Sequence, residues 1–563
     1  MARYDVLLRK AAFALLIASA VCPAALFAQA LPTPGVVQEE IRRRPQLPTP
    51  QAPPEIDRTE APAATTGVPQ GGMQIPIKRF EITGNSVIST EELHGVIAQH
   101  EGRSMTLFEI YEVADELTNY YRGKGYPVAT VTVPAQKVGS GTVKFEVVEG
   151  RIGALTVDGN KAYRGWFLQR YITGAAVGDV LSENALERDL LLLNDLPGLT
   201  AKAVVAPGDE FGDSNLTIRT KEKRFDLESR FNNHGRLSIG EWKVEQDVNV
   251  NAPLGLGDRL ELNVVHADGG KLDYFNVRYS APVHYSGTRA AGYFARNDYK
   301  VDSDELQPGL EGLDLSGDGD NFGFGLTHPI IRSRKENLYV GISYDRVITR
   351  QRIGALRLKT KADISLMNVN VLYSKVHRDN SFSTVSANFA TNFASNDRDP
   401  VTLRPENNAQ PGKMRVDLSH LRPIVGLWSL FTKMTLVGSI DPLVDTQRFR
   451  IGGPYSVRGY ASSELAGDGG YASTIEIHRQ FVFGNNWPSR AFIFGDTGTV
   501  ARKNAATIGL ESSESISGAG IGFETLLRSR YRVNVELAKQ IGSQEAVDGR
   551  DGLRVWFALT ANF

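Results

Sequence analysis

The carboxy-terminal three-fifths of the chain alternates apolar and polar residues with a period of two. Across residues 225–563 these segments are each about 10 residues long, and turn-forming residues separate them. A strand of this kind has one apolar face and one polar face. Closing an even number of them pairs every backbone N–H and C=O, which a hydrocarbon environment demands. The segments predict a transmembrane β-barrel of about sixteen antiparallel strands, near 225–233, 240–252, 257–267, 271–282, 288–298, 321–330, 337–348, 361–375, 382–393, 413–422, 430–440, 470–483, 489–500, 514–524, 530–541 and 552–563.

The connections and the last segment agree with a barrel. Even-numbered connections are compact and odd-numbered ones are long: the compact ones include 251–258, 375–380, 485–489 and 527–530, and the long ones are 299–320, 349–360, 394–412, 441–469 and 501–513. Every second residue of 553–563 is apolar, whereas Arg554, Thr560 and Asn562 share the other face. A lipid-facing row opposite a polar lumen explains this alternation. Because side chains cannot fill a barrel of this width, we expect a lumen that is plugged or wet.

Two small modules precede the barrel, which we place at residues 223–563. Residues 74–150 and 151–222 each have the pattern strand–helix–helix–strand–strand. In the first module, capping boxes at 89–92 and 106–109 mark the starts of two helices. The edge strands of such modules can accept an extended partner chain by β-augmentation, and an inert spacer is the alternative interpretation.

The amino terminus has the pattern of an export signal. Residues 1–30 combine a basic start, an apolar stretch and small residues at a cleavage site, which predicts a signal peptide. Residues 31–73 form a linker, because a segment so rich in proline cannot build a packed core. Only residues 36–44 could form about two helical turns before Pro45 stops them. This short helix is either a solvated fragment or a plug.

Charge and motif content exclude several classes of function. The 63 basic and 64 acidic residues nearly cancel, so there is no bulk field to attract nucleic acid. The sequence has no metal-spaced histidine pair, no G-x-S-x-G elbow and no phosphate-binding glycine loop. The acidic stretch 298–320 lacks the spacing of a calcium loop. We therefore expect no enzyme activity, no metal, no cofactor, no nucleic-acid partner and no small-molecule substrate.

One long connection carries a candidate site. Residues 451–460 read IGGPYSVRGY, in which two glycines permit a tight reversal and Arg458 offers a planar fork of donors. Asp496 lies on a later segment between small neighbours. A loop folded into the lumen could place Arg458 on Asp496 as a charge-assisted pair, and a solvated turn is the alternative. The predicted loop–lumen lock comprises Val457, Arg458, Gly459, Tyr460, Phe494, Asp496 and Gly498.

The combination of these features resembles the two-partner secretion transporters. These are the haemolysin secretion/activation proteins of Gram-negative outer membranes, relatives of the BamA-type assembly factors. The first module carries a signature similar to that family's first polypeptide-transport-associated (POTRA) domain: Gly125, Tyr126, Pro127, Ala129, Pro134 and Gln136. The resemblance implies that residues 31–45 match a pore-plugging helix. It also implies that Arg458 and Asp496 lock the loop to the barrel, and that the POTRA pair, including these six residues, binds the client.

The sequence therefore predicts an outer-membrane pore with its POTRA modules in the periplasm. The pore would recognise one unfolded, β-helical exoprotein and secrete it, in contact with outer-membrane lipid. A general assembly factor for outer-membrane proteins and a passive or ligand-gated porin are the alternatives.

Overall fold

The structure, a computed structural model, describes residues 33–40, 55–58, 72–306, 312–395, 412–484, 486–503, 505, 511–550 and 552–563. The predicted signal peptide, most of the linker and most of the connection at 394–412 lie outside these residues. Ahead of the modules, the described chain forms helix α1 (Pro34–Glu40) and strand β1 (Ile56–Arg58).

The first module packs two helices on a three-stranded sheet. Its elements are β2 (Ile75–Pro76), β3 (Arg79–Thr83), α2 (Thr90–Ile97), β4 (Ser104–Met105), α3 (Leu107–Gly123), β5 (Thr130–Thr132) and β6 (Thr142–Val148). Strand β6 lies in the middle, parallel to β3 and antiparallel to β5. The capping box predicted at α3 forms between Thr106 and Glu109, and the Ser89 side chain caps α2. A core that includes Phe80 and Phe145 joins helices and sheet.

The second module repeats this order. Its elements are β7 (Arg151–Asp158), α4 (Gly165–Gln169), α5 (Glu183–Asn194), β8 (Leu199–Pro207) and β9 (Asp213–Glu222). Strand β9 lies between β7, to which it is parallel, and β8, to which it is antiparallel. The module is joined to the barrel by a bidentate ion pair between Asp195 and Arg332, with both oxygen–nitrogen distances at 2.7 Å.

The rest of the chain forms a closed antiparallel barrel. Its strands are β10 (Phe225–Asn232), β11 (Lys243–Asn251), β12 (Arg259–Ala267), β13 (Leu272–Pro282), β14 (Arg289–Lys300), β15 (Leu315–Arg332), β16 (Glu336–Ile353), β17 (Leu358–Val376), β18 (Phe382–Ser395), β19 (Gly412–Val425), β20 (Trp428–Ser439), β23 (Gly469–Phe483), β24 (Trp487–Ala501), β25 (Ser513–Leu527), β26 (Tyr531–Ile541) and β27 (Leu553–Asn562). Strand β10 closes the ring by pairing with β27. The predicted fold of about sixteen strands is confirmed.

The two faces of the strands differ as the alternation predicts. Phe324, Ile475 and Leu553 lie on the outer face and are more than half exposed, as suits a surface in contact with lipid. Asp496 and Trp556 lie on the inner face and are buried against lumen contents. Among the helices in the described ranges, each is too short or too polar to cross a bilayer.

The predicted lengths of the connections are right at the end of the barrel next to the second module. At the opposite end they are partly wrong. The even connections next to the second module are short, as expected. The long connection expected at 349–360 is wrong, because β16 and β17 continue to a turn at residues 354–357. Charged residues here do not form a loop: Arg350 pairs across the sheet with Asp318, so polar strands extend beyond the apolar belt.

Candidate functional site

The connection between β20 and β23 folds back into the barrel. We call this segment, residues 440–468, the lumen loop. Within it β21 (Phe449–Ile451) pairs with β22 (Leu465–Gly467). Gly452 and Gly453 have φ values of 105° and 91°, which glycine adopts without steric cost, and the chain reverses there. The predicted lock residues of the loop are all buried: Val457, Arg458, Gly459 and Tyr460.

Arg458 lies at the centre of a buried ionic cluster. Its Nε and Nη2 donate to the two carboxylate oxygens of Asp496 at 2.7 and 2.8 Å, and its backbone N–H donates to the same group. Its Nη1 lies 2.8 Å from Glu476 and 3.2 Å from Glu536. The Arg458 side chain is 3 % exposed and that of Asp496 is 0 % exposed. The structure therefore brings together the two residues of the predicted pair and adds two carboxylates that the sequence did not single out.

The surroundings of the guanidinium favour its charge. Burial alone would lower the pKa of Arg458, but hydrogen bonds and attraction from Asp496, Glu536 and Glu476 raise that pKa above its ordinary value. The ring of Phe494 lies 3.4 Å from the guanidinium, in cation–π contact. The indole N–H of Trp556 donates to the backbone carbonyl of Arg458 at 2.8 Å. These contacts fix the loop to four strands of the barrel wall: β23, β24, β26 and β27.

Small residues let the loop approach the wall closely. A Cβ atom on Gly498 would lie 3.1 Å from Ile451 and 3.4 Å from Val457 of the loop. A Cβ atom on Gly518 of the neighbouring strand would lie 3.0 Å from the backbone nitrogen of Gly459. Contacts this short explain why glycines occupy these positions.

Helix α1 lies in the lumen between the lumen loop and the wall opposite the Arg458 cluster. The Gly35 N–H donates to the Asp445 carboxylate at 2.8 Å, and Thr33 accepts a hydrogen bond from Arg450. Val36 and Val37 are buried in an apolar cluster with Ile239 of the β10–β11 connection and with wall residues that include Leu272, Tyr299, Leu315 and Ile353. The expected helix is therefore present as far as Glu40, and residues 41–45 lie outside the described ranges.

Two carboxylates of the lumen loop outside the lock have shifted pKa values. Burial opposes the charge on Asp445, but Arg450 and Arg448 hold its pKa below the ordinary value. Burial raises the pKa of Glu464 to about 7, although it accepts a hydrogen bond from the Val547 N–H at 2.6 Å.

The six predicted client-binding residues lie around the end of α3 and the start of β6. Ala129 is fully buried, and Gly125 has a φ of 93° after the helix. The Gln136 side chain accepts from the Lys144 N–H at 2.7 Å and donates to the Lys144 carbonyl at 2.8 Å. The Gln136 side chain therefore makes the hydrogen bonds that the backbone of a neighbouring strand would make to β6. Ala129, Gly125 and Gln136 thus have structural roles of their own. Pro127, Pro134 and Tyr126, which is 6.2 Å from Tyr121 between ring centroids, are partly exposed; client binding by the six residues remains a prediction.

The second module already holds an extended segment at its edge. Strand β1 of the linker pairs in parallel with β8, with Ile56 opposite Ala203. Lys202 lies 3.0 Å from the carboxylates of both Glu55 and Asp57. The sequence did not predict this strand, because three residues between prolines carry no readable period.

The fold and site define a class of protein: a POTRA-bearing β-barrel transporter with an arginine-anchored loop in its lumen. Residues 212–525 match the family described as haemolysin secretion/activation protein ShlB/FhaC/HecB, and residues 75–150 match the ShlB-type POTRA domain. The chain therefore belongs to the ShlB/FhaC/HecB family of haemolysin secretion/activation proteins. It is an outer-membrane transporter of two-partner secretion, with its POTRA modules in the periplasm.

Relatives cover nearly the whole chain. The heme/hemopexin transporter protein HuxB of Haemophilus influenzae is 23% identical over 94% of this chain and 95% of its own length. The hemolysin transporter protein ShlB of Serratia marcescens is 24% identical over 86% of this chain and 85% of its own. The solved structure of CdiB from Escherichia coli covers 88% of this chain and 92% of its own, with a TM-score of 0.68 at 18% identity, and shares the fold.

Proposed function

We propose that this transporter exports one large secreted protein built of β-helical repeats. The client reaches the periplasm unfolded and binds the POTRA modules in extended form. It then threads the lumen after helix α1 and the lumen loop move aside. The outer face of the barrel contacts outer-membrane lipid throughout.

The observation that carries this proposal is the way the lumen is closed. The obstructing elements are held by specific, buried polar contacts, above all the bidentate pair of Arg458 and Asp496. A constriction that only sieves small solutes needs no such clamp. A clamp of charged hydrogen bonds suits an obstruction that must leave and return as a unit, because these bonds are strong and geometrically specific.

The mode of client binding follows from the module edges. Strand β1 already adds to β8 in parallel, so this edge geometry is compatible with an extended chain. Main-chain hydrogen bonds of this kind tolerate different side chains, which suits a long repetitive client. The signature around Gly125 and Gln136 supports assigning client recognition to the first module.

Export needs a source of free energy. The sequence carries no nucleotide-binding motif. We assign the drive to folding of the client outside the cell, because each repeat that stacks on its neighbour opposes back-sliding. The charged lumen residues around Arg458 bind one another, which supports a non-enzymatic role for the protein.

A comparison of culture media tests the proposal. The source bacterium is grown with the native gene, with the gene deleted, and with a variant lacking residues 75–150. We expect one large protein to disappear from the medium of both mutants, while the variant barrel still assembles in the outer membrane. Normal secretion by the variant would contradict client capture by the first POTRA module.

The same experiment separates the two alternatives. Broad loss of outer-membrane barrel proteins on gene deletion would indicate a general assembly factor. An unchanged set of secreted proteins, together with a loss of small-solute uptake, would indicate a porin.

A further inference from the structure

The outer face of strands β14–β17 carries a charged band directly beyond the apolar belt. On β15, Phe324 and Phe322 face outward, and Asp320 and Asp318 follow on the same side towards the far end. The orientation is fixed by Leu315, whose contact with helix α1 places it in the lumen. Strand alternation then directs its even-numbered neighbours outward.

A cavity of about 610 Å³ opens within this band. That volume lies in the range of small-ligand sites. Its charged lining is predominantly basic and consists of Lys300, Arg350, Arg352, Lys359 and Lys361, against Asp273, Asp298 and Asp318.

The aspartates of the cavity already have cationic or imidazole partners. Arg296 binds Asp298 through two nitrogens, at 3.0 and 3.1 Å. Asp273 lies 2.6 Å from the His266 ring, and Arg350 pairs with Asp318.

Three cations of the cavity form no ion pair with a carboxylate of the described residues. Lys300, Arg352 and Lys359 are exposed, and within the described ranges no carboxylate forms an ion pair with them. The cavity therefore has spare positive charge, which favours an anionic ligand.

We propose that this cavity binds the phosphorylated head group of a glycolipid in the outer leaflet. The apolar belt at Phe322 and Phe324 contacts its acyl chains, and the cavity cations, which lie six residues further along the strands at the level of Ser316, contact its phosphates. Guanidinium groups match phosphate geometry, and lysines add point charge. Because these side chains face away from the lumen, the site is separate from the route of the client.

The position of the band favours a lipid over a free anion. Arg346 lies 5.9 Å from the Phe322 ring, so the charged band that contains the cavity begins directly at the apolar belt. A soluble phosphate would use only the charged half of this surface. A phosphorylated amphiphile uses both halves.

Native mass spectrometry of the purified full-length protein in detergent tests the site. The probes are bis-phosphorylated lipid A, the same lipid without phosphates, and inorganic phosphate. We expect the bis-phosphorylated lipid to bind best. The variant Lys300→Gln/Arg352→Gln/Lys359→Gln should bind it about 100-fold more weakly at low salt, from the usual effect of a cation at an anionic membrane surface.

A matched control removes the same charge at the other end of the barrel. Arg334→Gln/Lys335→Gln/Arg378→Gln changes exposed residues in the turns next to the modules, and its affinity should stay within about twofold of the native protein. The charge-preserving variant Lys300→Arg/Arg352→Lys/Lys359→Arg should retain binding. Equal binding of the dephosphorylated lipid, native affinity in the first variant, or full displacement by equimolar inorganic phosphate would each overturn the proposal.

Discussion

Replacing Arg458 by glutamine should release the lumen loop from the wall. The substitution removes the positive charge that faces three carboxylates, of which Asp496 is the nearest at 2.7 Å. Breaking a buried ion pair by removing one partner costs about 3–5 kcal/mol. Because the Arg458 and Asp496 side chains are almost completely inaccessible to solvent, we expect a value near this range. The population with a displaced loop should then rise by about 100-fold or more.

Hydrogen exchange of the lumen loop measures this population directly, since each opening exposes its backbone amides. We expect faster exchange at Val457 and Tyr460 in the Arg458→Gln protein. Asp496→Asn should have a smaller effect, because Arg458 keeps Glu476 and Glu536 as partners. The double variant should be less perturbed than the sum of the single ones. Native exchange rates in the Arg458→Gln protein would refute the role of this cluster as the anchor of the loop.

Three further results are expected. Gly35→Ala should weaken docking of helix α1 by about 1–3 kcal/mol, because the added Cβ would lie 2.5 Å from the Asp445 carbonyl oxygen. The conductance of the protein in planar bilayers should therefore rise. The control Gly438→Ala places its Cβ in open space and should leave conductance unchanged. Glu464 has a pKa near 7 in the seated loop against an ordinary 4.5, so the protonated form favours the seated loop. The fraction of open channels should rise up to about tenfold per pH unit between pH 5 and 7 and then level off, and Glu464→Gln should abolish this dependence. Gln136→Ala should destabilise the first module by about 1 kcal/mol in a thermal melt, since it removes two hydrogen bonds to β6; lost secretion with an unchanged melt would instead indicate direct client contact.

The barrel could be predicted because lipid on one side and a lumen on the other impose a period of two on every strand. The error at residues 349–360 has a physical cause. Beyond the membrane this period no longer separates apolar from polar residues, so paired charges such as Arg350 and Asp318 have the composition of a loop. Strand ends outside the apolar belt therefore could not be placed from sequence.

The candidate site was predictable only in part. Glycines around Arg458 and Asp496 mark a close approach of two chain segments, and this approach appears in the structure. Glu476 and Glu536 were not predictable, because one lumen-facing carboxylate among many polar neighbours carries no distinguishing pattern. The hydrogen bond between Gly35 and Asp445 joins segments 410 residues apart. It could not be predicted, because the periodicity of a sequence reflects only neighbouring residues.

The two obstructing elements grip opposite sides of the barrel. The lumen loop is anchored on β23, β24, β26 and β27, whereas the valines of helix α1 pack against the side formed by β13–β16. Two hydrogen bonds join this segment to the loop: the Gly35 N–H donates to the Asp445 carboxylate, and Arg450 donates to Thr33. Withdrawing the helix alone would leave the loop across the channel, and displacing the loop alone would break these two hydrogen bonds of the helix. A polypeptide can pass only after both movements, so a chance fluctuation of one element admits small ions at most and opens no path for a protein chain.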